Sequence, residues 1–139
     1  MELSKLNSLV ELYFKKAEEI DKKKPFLKWL NPSNNHQYNW EEVTEKIYKL
    51  SYKIKSLTKE GDRILLLSEN RPEWLITDFA IMNAGGITVP IFTTYAERDY
   101  EYILKDCSPS LIIVSNNNQY KKIKKFIDNK KIISFEKIE

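Results

Sequence analysis

Four short, mostly aliphatic runs, separated by amphipathic stretches, constrain the fold of this chain more than any other feature of its sequence. The runs lie at 64–67, 87–92, 111–115 and 131–135. Runs of this kind are typical of strands that are covered on both faces of a parallel sheet. The stretches between them, at about 72–84, 97–105 and 119–127, have the apolar spacing of helices. The alternation predicts an α/β fold with an open, mainly parallel sheet and helices on both faces.

The part of the chain before the first run predicts two helices and a hairpin. Apolar residues recur at helical spacing from Leu3 to Ile20, which predicts an amphipathic helix. An apolar run at 26–30 and the polar turn after it favour an antiparallel hairpin with residues 37–39. A further helix is expected at 40–57, begun by a capping box of Asn39 and Glu42. Its core stripe is predicted to comprise Trp40, Val43, Ile47, Leu50, Ile54 and Leu57, with Glu41, Glu45, Lys49 and Lys53 facing water.

Length, charge and cysteine content bear on the class of protein. A chain of 139 residues fits one domain, and we expect 1–139 to hold no second one. The 23 basic and 20 acidic residues give a net charge of +3, which indicates no nucleic-acid partner. Cys107 is the only cysteine, and neither a signal peptide nor an apolar stretch of membrane-spanning length is present. We therefore expect a cytoplasmic chain without a transmembrane segment.

The sequence contains none of the glycine patterns that bind nucleotides. Neither the dinucleotide-binding pattern nor the P-loop is present, and Gly85 is expected to end a helix in the left-handed conformation. His36 is interpreted as a solvated loop residue and Cys107 as a half-buried small residue, because one histidine and one cysteine cannot form a zinc site. We assign no catalytic, no cofactor-binding and no metal-ligating residue.

Three loops follow the predicted strands at their carboxyl ends, where open α/β sheets bind ligands. They lie at 68–73, 92–97 and 115–118. Asn70 is predicted to cap the next helix with Glu73 as its partner, and Arg71 keeps an anion-binding role as an alternative. The lysines within 120–126 are interpreted as the solvated face of an amphipathic helix, with peripheral contact at a membrane surface as the alternative.

Three stretches of the sequence resemble the adenylate-forming superfamily in order and spacing. They are YNWEEV at 38–43, KEGDRILLLSENRPEWLITDFAIMNAGGITVPIF at 59–92, and TTYAERDYEYILKDCSPSLIIVS at 93–115. The first has Asn39 where the family usually has threonine, and both residues cap helices. The third is most similar to the long-chain fatty-acid CoA ligases. The resemblance implies the N-terminal subdomain of the adenylate-forming fold, in an incomplete form.

The resemblance implies the activity of a parent enzyme, and no site residue within this chain. Such an enzyme uses ATP and Mg²⁺ to convert a fatty acid to an acyl-adenylate, and then transfers the acyl group to CoA. The phosphate loop, the nucleotide contacts, the magnesium glutamate and the catalytic lysine of the family would all lie beyond residue 139, in the remaining domains of the same polypeptide. The alternatives are a medium-chain or aryl-acid ligase, or a non-catalytic, self-standing α/β interaction module. We expect the isolated chain to be inactive, and poorly soluble or oligomeric.

Overall fold

The computed structural model describes residues 6–30, 35–128 and 131–136. Within these residues, six β-strands form two sheets, and five α-helices pack around the sheets. The elements are α1 (Leu9–Glu19), β1 (Pro25–Trp29), β2 (His36–Asn39), α2 (Trp40–Lys55), β3 (Arg63–Leu67), α3 (Pro72–Asn83), β4 (Ile87–Ile91), α4 (Glu97–Cys107), β5 (Leu111–Val114), α5 (Asn117–Ile123) and β6 (Lys131–Ser134). β1 and β2 form an antiparallel hairpin. The larger sheet has the order β4-β3-β5-β6, and its three pairings are parallel. The predicted hairpin and the predicted parallel sheet are confirmed.

The central strand β3 shows why its run of apolar residues is continuous. Ile64 and Leu66 belong to the apolar layer formed with α1, α2 and α3, whereas Leu65 and Leu67 belong to the layer formed with α4 and α5. All four side chains are fully buried. Because successive residues of a strand point to opposite faces, a strand covered on both faces needs apolar residues at every position. Helices therefore cover both faces of the sheet, as predicted.

Helix α2 separates its apolar and charged sides as its sequence predicts. Asn39 accepts from the amide of Glu42 at 2.9 Å, and the Glu42 carboxylate accepts from the amide of Asn39 at 2.8 Å, so the capping box is confirmed. Val43, Ile47 and Ile54 are buried, while the other three stripe residues, Trp40, Leu50 and Leu57, are half-buried. The four charged residues that were expected to face water, Glu41, Glu45, Lys49 and Lys53, are exposed.

Several helix ends differ from the sequence prediction. α1 begins at Leu9, because the Ser8 hydroxyl accepts from the Glu11 amide and caps the helix; Leu3 lies outside the described residues. α5 begins at Asn117, because Asn116 caps it, and it ends at Ile123 in a 3₁₀ turn over Lys124–Phe126.

Gly85 and its neighbour Gly86 form the turn between α3 and β4. Gly85 has φ of +84°, so the predicted left-handed helix end is confirmed. A Cβ atom at Gly86 would lie 2.8 Å from Cδ1 of Ile64, so a side chain there would displace the buried Ile64 side chain of β3. After this turn the chain enters β4 at Ile87. The Ile87 amide donates to the Asp62 carbonyl at 2.8 Å, which joins the start of β4 to the start of β3.

Candidate functional site at the carboxyl ends of the strands

The most favourable place for a ligand in this topology lies beyond the carboxyl ends of β3 and β5. The chain leaves β3 into α3, which packs on one face of the sheet, and leaves β5 into α5, which packs on the other. β3 and β5 are neighbours in the sheet. Connections that diverge to opposite faces leave a crevice between them, and ligands of open α/β sheets bind in such crevices. The predicted loops 68–73 and 115–118 meet here.

The side chain of Glu69 occupies this crevice. Its carboxylate accepts a hydrogen bond from the Ser115 hydroxyl, from Nδ2 of Asn116 at 3.2 Å, and from Nε2 of Gln119. Ser115 and Gln119 are buried, and Asn116 also caps α5. The donors are all neutral, and they come from the end of β5 and the first turn of α5. Through these hydrogen bonds, Glu69 connects the end of β3 to the start of α5.

The surroundings of Glu69 favour its ionised form. Burial raises the pKa of the Glu69 carboxyl, but the hydrogen bonds from Ser115, from its own backbone amide, from Gln119 and from Asn116 outweigh burial. The net effect holds the pKa of Glu69 below its ordinary value. A carboxylate with a lowered pKa and several neutral donors is a poor general base at neutral pH. The arrangement is that of a structural acceptor.

A second cluster, around Arg71, lies at the start of α3. The guanidinium donates to Glu73 at 2.8 Å and to Glu136 at 2.7 Å. Its carbon atom lies 4.7 Å from the ring centroid of Trp29 and 5.7 Å from that of Phe135. Arg71 thus connects the hairpin, α3 and the end of β6. Glu73 and Glu136, which form ion pairs with Arg71, are both residues of this chain, which argues against the anion-binding alternative for this side chain.

Tyr38 extends the Arg71 cluster into the hairpin. Its hydroxyl donates to Glu73 at 3.0 Å. Burial, together with the hydrogen bond and the charge of Glu73, raises the pKa of Tyr38 to about 12. Burial raises the pKa of the Glu73 carboxyl, but the hydrogen bonds from Arg71, from its own backbone and from Tyr38 together lower it below its ordinary value. Glu73 is therefore ionised at neutral pH, and Tyr38 is protonated.

The predicted capping role of Asn70 is wrong. The residue at the cap position is Arg71, which has extended backbone with φ of −150° and makes no side-chain cap bond. Pro72 follows as the first helical residue, and its fixed φ suits the start of a helix. Because proline has no backbone N–H, the first turn of α3 has one fewer N–H donor that needs a capping acceptor. Glu73, expected as the partner of Asn70, instead binds Arg71 and Tyr38.

The third predicted loop, 92–97, forms one wall of a cleft over the ends of β3 and β4. The cleft has a volume of about 550 Å³ and is lined by Ser68, Glu69, Asn70, Trp74, Pro90, Ile91, Phe92, Thr93 and Thr94. The loop is tied down by Lys122, which donates to the Thr93 carbonyl at 2.6 Å, and by Tyr100, which donates to the Phe92 carbonyl at 3.0 Å. Phe92 itself is 69% exposed. Among the residues that the structure describes, those that line this cleft include no basic side chain.

The remaining residues singled out from the sequence have structural positions. His36 is exposed as expected, but it begins β2 instead of lying in a loop, with its ring 4.2 Å from that of Tyr38. Cys107 ends α4 and is buried, with 8% of its surface exposed, where the sequence suggested half-burial. The lysines of α5 and its 3₁₀ turn are exposed, as the amphipathic interpretation predicts; they are Lys121, Lys122, Lys124 and Lys125.

Within the described ranges, 6–30, 35–128 and 131–136, the side chains offer no metal centre. No group of three His, Cys, Asp or Glu residues is arranged to hold a metal ion among them. No helix in that part of the chain is long and apolar enough to cross a membrane.

Glu69 is the residue of this site that sequence reasoning missed. Its position directly after Ser68, at the end of a buried strand, is visible in the sequence. The signal that could have identified it is the polar segment Ser115 to Gln119 after the neighbouring strand, which supplies three side-chain donors. The pattern of apolar residues predicts both strands, but it does not predict that the two strands are neighbours in the sheet. Only the strand order brings the two segments together.

Comparison with known proteins identifies relatives of this chain. The family model described as AMP-binding enzyme matches residues 14–138. A long-chain-fatty-acid–CoA ligase of Gallus gallus is 33% identical over 86 residues, which are 58% of this chain and 11% of that protein. A long-chain-fatty-acid–CoA ligase of Homo sapiens is 30% identical over 95 residues, which are 64% of this chain and 13% of that protein. The matched segments thus span only 11% to 13% of the lengths of these relatives.

Solved structures share the fold at lower identity. A fatty acid AMP ligase from Legionella pneumophila superposes with a TM-score of 0.77 at 22% identity, covering 98% of this chain and 24% of that one. The N-terminal subdomain of Klebsiella oxytoca NpsA superposes with a TM-score of 0.76 at 16% identity, covering 93% of this chain and 31% of that one. The expected architecture, the N-terminal part of the adenylate-forming fold, is confirmed.

Proposed function

Because this chain belongs to the AMP-binding enzyme family, we propose that it forms the N-terminal part of a long-chain fatty-acid CoA ligase. The parent enzyme activates a fatty acid with ATP to an acyl-adenylate and pyrophosphate, and then transfers the acyl group to CoA. The observation that carries the proposal is the match to long-chain-fatty-acid–CoA ligases, at 30% to 33% identity. These relatives favour the long-chain class over the medium-chain and aryl-acid alternatives, and over a non-catalytic module.

The described residues do not fit ATP with Mg²⁺. Charge on a transferring nucleotide is stabilised by a metal ion and by lysine or arginine side chains aimed at the phosphates. The carboxylate at the strand ends, Glu69, already accepts bonds from three neighbouring side chains, and Arg71 is held between two carboxylates. The prediction that no catalytic, cofactor-binding or metal-ligating residue lies within this chain is maintained. ATP, Mg²⁺ and CoA are proposed as reactants bound by other parts of the polypeptide.

Within this proposal, the role of the chain is to support the enzyme architecturally. The Glu69 cluster connects β3 to α5, and the Arg71 cluster connects the hairpin, α3 and β6. Such connections keep the ends of parallel strands in place beside the segments that would carry the chemistry. A cytoplasmic location, with peripheral contact at a membrane surface as the alternative, also stays a prediction.

The proposal is tested with the longer reading frame. A gene product extended to the length of the relatives should release AMP and form palmitoyl-CoA when supplied with palmitate, ATP, Mg²⁺ and CoA. Octanoate and benzoate serve as competitors, and preference for either would replace the long-chain assignment. The 139-residue chain alone should give no ATP-pyrophosphate exchange with palmitate; robust exchange would show that catalytic residues lie within it. A stop codon directly after codon 139 would favour the self-standing module.

A further inference from the structure

The cleft over the ends of β3 and β4 has two walls that come from different loops. One wall is the segment 68–70, which follows β3, and the other is the segment 92–94, which follows β4. The strands themselves are fixed in the sheet, where Leu67 is paired with Ile91. Beyond these paired residues, each wall depends on further contacts to hold its position. Helix α5, which packs on the same face of the sheet as α4, contacts both walls.

The first turn of α5 holds the wall that follows β3. Asn116, which caps the helix, donates to the Glu69 carboxylate at 3.2 Å, and the side-chain amide of Gln119 donates to the same carboxylate. Gln119 is buried, so its contact with Glu69 is shielded from water. Because breaking a buried hydrogen bond leaves its donor and acceptor unsatisfied, the Glu69 segment and the first turn of α5 are expected to move together.

The last turn of α5 holds the wall that follows β4. Nζ of Lys122 donates to the Thr93 carbonyl at 2.6 Å, and Lys125, in the following 3₁₀ turn, forms an ion pair with Glu97. The first contact is a charge-assisted hydrogen bond to the backbone of the wall. The second joins two exposed side chains, and such ion pairs contribute little to stability. Lys122 is therefore the principal link between α5 and the segment 92–94.

The contacts to the two walls lie on one short helix. Gln119 and Lys122 are three positions apart, so their side chains lie on the same side of α5. Ile123 is fully buried in the apolar layer that contains Leu65 and Leu67 of β3, and it anchors the helix to the sheet. A short helix anchored in this way docks and undocks as a unit, and its undocking would break the contacts to both walls together.

From these contacts we propose that α5 couples the two walls of the cleft. Releasing Glu69 from α5 also frees the segment 92–97, and releasing Thr93 also loosens the first turn of α5. The coupling is reciprocal because both walls draw on the same docking equilibrium of the helix. A group that enters the cleft and competes for Glu69 therefore loosens the opposite wall. The inference rests on contacts within residues 65–125 and does not depend on the proposed activity.

Hydrogen exchange followed by mass spectrometry tests the coupling in the 139-residue chain. Glu69→Gln replaces an acceptor oxygen with a donor, so exchange in peptides from 115–120 should become at least about threefold faster. If α5 couples the walls, exchange in peptides from 92–97 should become faster by a similar factor. The comparison uses labelling times at which peptides from 43–54 in α2 stay protected, because these report global unfolding. Faster exchange in 115–120 with unchanged exchange in 92–97 would overturn the proposal.

Lys122→Met tests the coupling in the reverse direction. Lys122 is exposed, so this substitution leaves the core of the protein unchanged. It should make exchange faster in 92–97, where the Thr93 carbonyl loses its donor, and through α5 it should also make exchange faster in 115–120. Unchanged exchange in 115–120 would mean that the two ends of α5 move independently, which overturns the proposal.

A control and a double variant identify the path of the coupling. Lys121→Met, at the neighbouring exposed position of α5, is the matched control and should leave exchange in 92–97 unchanged. In the Lys122→Met background, adding Glu69→Gln should have no further effect on 92–97, because both changes act through the same link. An equal effect of Glu69→Gln on 92–97 with and without Lys122 would mean that the walls interact directly across the cleft. That result, or an effect of Lys121→Met as large as that of Lys122→Met, would overturn the proposal.

Discussion

Glu69 and Glu73 are two half-buried carboxylates four positions apart, and they are stabilised in different ways. Glu73 has a cation, Arg71, which is itself held between the rings of Trp29 and Phe135. Glu69 accepts side-chain hydrogen bonds from Ser115, Asn116 and Gln119, which are all neutral donors. The pKa of both carboxyls lies below the ordinary value. A lowered pKa therefore does not distinguish an ion pair from a set of neutral hydrogen bonds, and the partners must be identified individually.

The difference matters for function because only Glu69 lies in the crevice where a ligand is expected. A carboxylate at the carboxyl end of a strand is often interpreted as a catalytic group. Here its acceptor capacity is used to hold Ser115 and Gln119, which are buried. The contacts of the residue, and not its location, identify its role.

Removing the cation should have the largest effect on this comparison. Arg71→Ala leaves Glu73 half-buried without its cation and breaks the contact with Glu136, so we expect a loss of about 2 to 4 kcal/mol in the free energy of unfolding. This is below the cost of breaking a fully buried pair because Glu136 is exposed. Urea unfolding measures it. The control Lys105→Ala removes an exposed ion pair with Glu101 and should cost less than about 1 kcal/mol. Equal losses in both variants would contradict the importance of the Arg71 cluster.

Neutralising the other carboxylate should cost less. Glu69→Gln keeps the shape of the side chain but replaces an acceptor oxygen with a donor, which opposes the donors of Asn116 and Gln119. We expect a loss of about 1 to 3 kcal/mol in the free energy of unfolding. Glu45→Gln, on the exposed face of α2, is the matched control and should be nearly neutral. A Glu69→Gln variant more stable than the wild type would contradict the structural role of Glu69, because it would mean that this carboxylate destabilises the fold.

The core position beside the Arg71 cluster should respond moderately. Leu50 is half-buried and lines a cleft of about 510 Å³ together with Tyr38 and Glu73. Leu50→Ala should cost about 1 to 2 kcal/mol, because a half-buried side chain loses less transfer free energy than a buried one. Ile47→Ala, at a fully buried site of the same helix, should cost about 2 to 5 kcal/mol. Thermal unfolding of the two variants measures the difference in stability. An equal loss of stability in Leu50→Ala and Ile47→Ala would mean that the Leu50 side chain is as buried as that of Ile47, with no open cleft beside it.

Acid should reveal what the Glu69 carboxylate contributes to stability. Because the pKa of each carboxyl is lowered in the folded state, the stability that it contributes is present above about pH 4.3, the ordinary value for glutamate, and is lost as the pH falls through the folded value. Glu69→Gln should therefore lose less stability than the wild type between neutral pH and acid. Chemical unfolding at a series of pH values measures this. Parallel curves for the two proteins would mean that Glu69 does not contribute.

In alkali, the effect should come from Tyr38. Its pKa is raised to about 12, so the folded protein retains a proton that an unfolded tyrosine loses near pH 10. The contribution of Tyr38 is complete below about pH 10 and is lost as the pH rises through the folded value. Tyr38→Phe should remove this part of the alkaline decline. Absorbance of tyrosinate follows the titration directly, and a tyrosine titrating near pH 10 in the folded wild type but absent in the variant would contradict the raised pKa.

The sequence predicted most elements because their apolar spacing is local. The runs at 64–67 and 111–115, the capping box of Asn39 and Glu42, and the turn at Gly85 are each visible within a few neighbouring residues. Errors arose where a distant partner competes with a local one. Glu73 was assigned to Asn70, three positions away, but it binds Tyr38, which is separated from it by 35 positions.

The amino-acid sequence by itself therefore determined the class of fold, the family to which the chain is similar, and the absence of nucleotide-binding motifs from these residues. Each of these depends on spacing along the chain, which short-range sterics and the burial of apolar faces convert into helices and strands. The tertiary structure decided the strand order β4-β3-β5-β6, the filling of the crevice by Glu69, and the enclosure of Arg71 by three separate segments. These depend on which elements become neighbours, and the free energy that selects them comes from packing and hydrogen bonds between residues that are far apart in the chain.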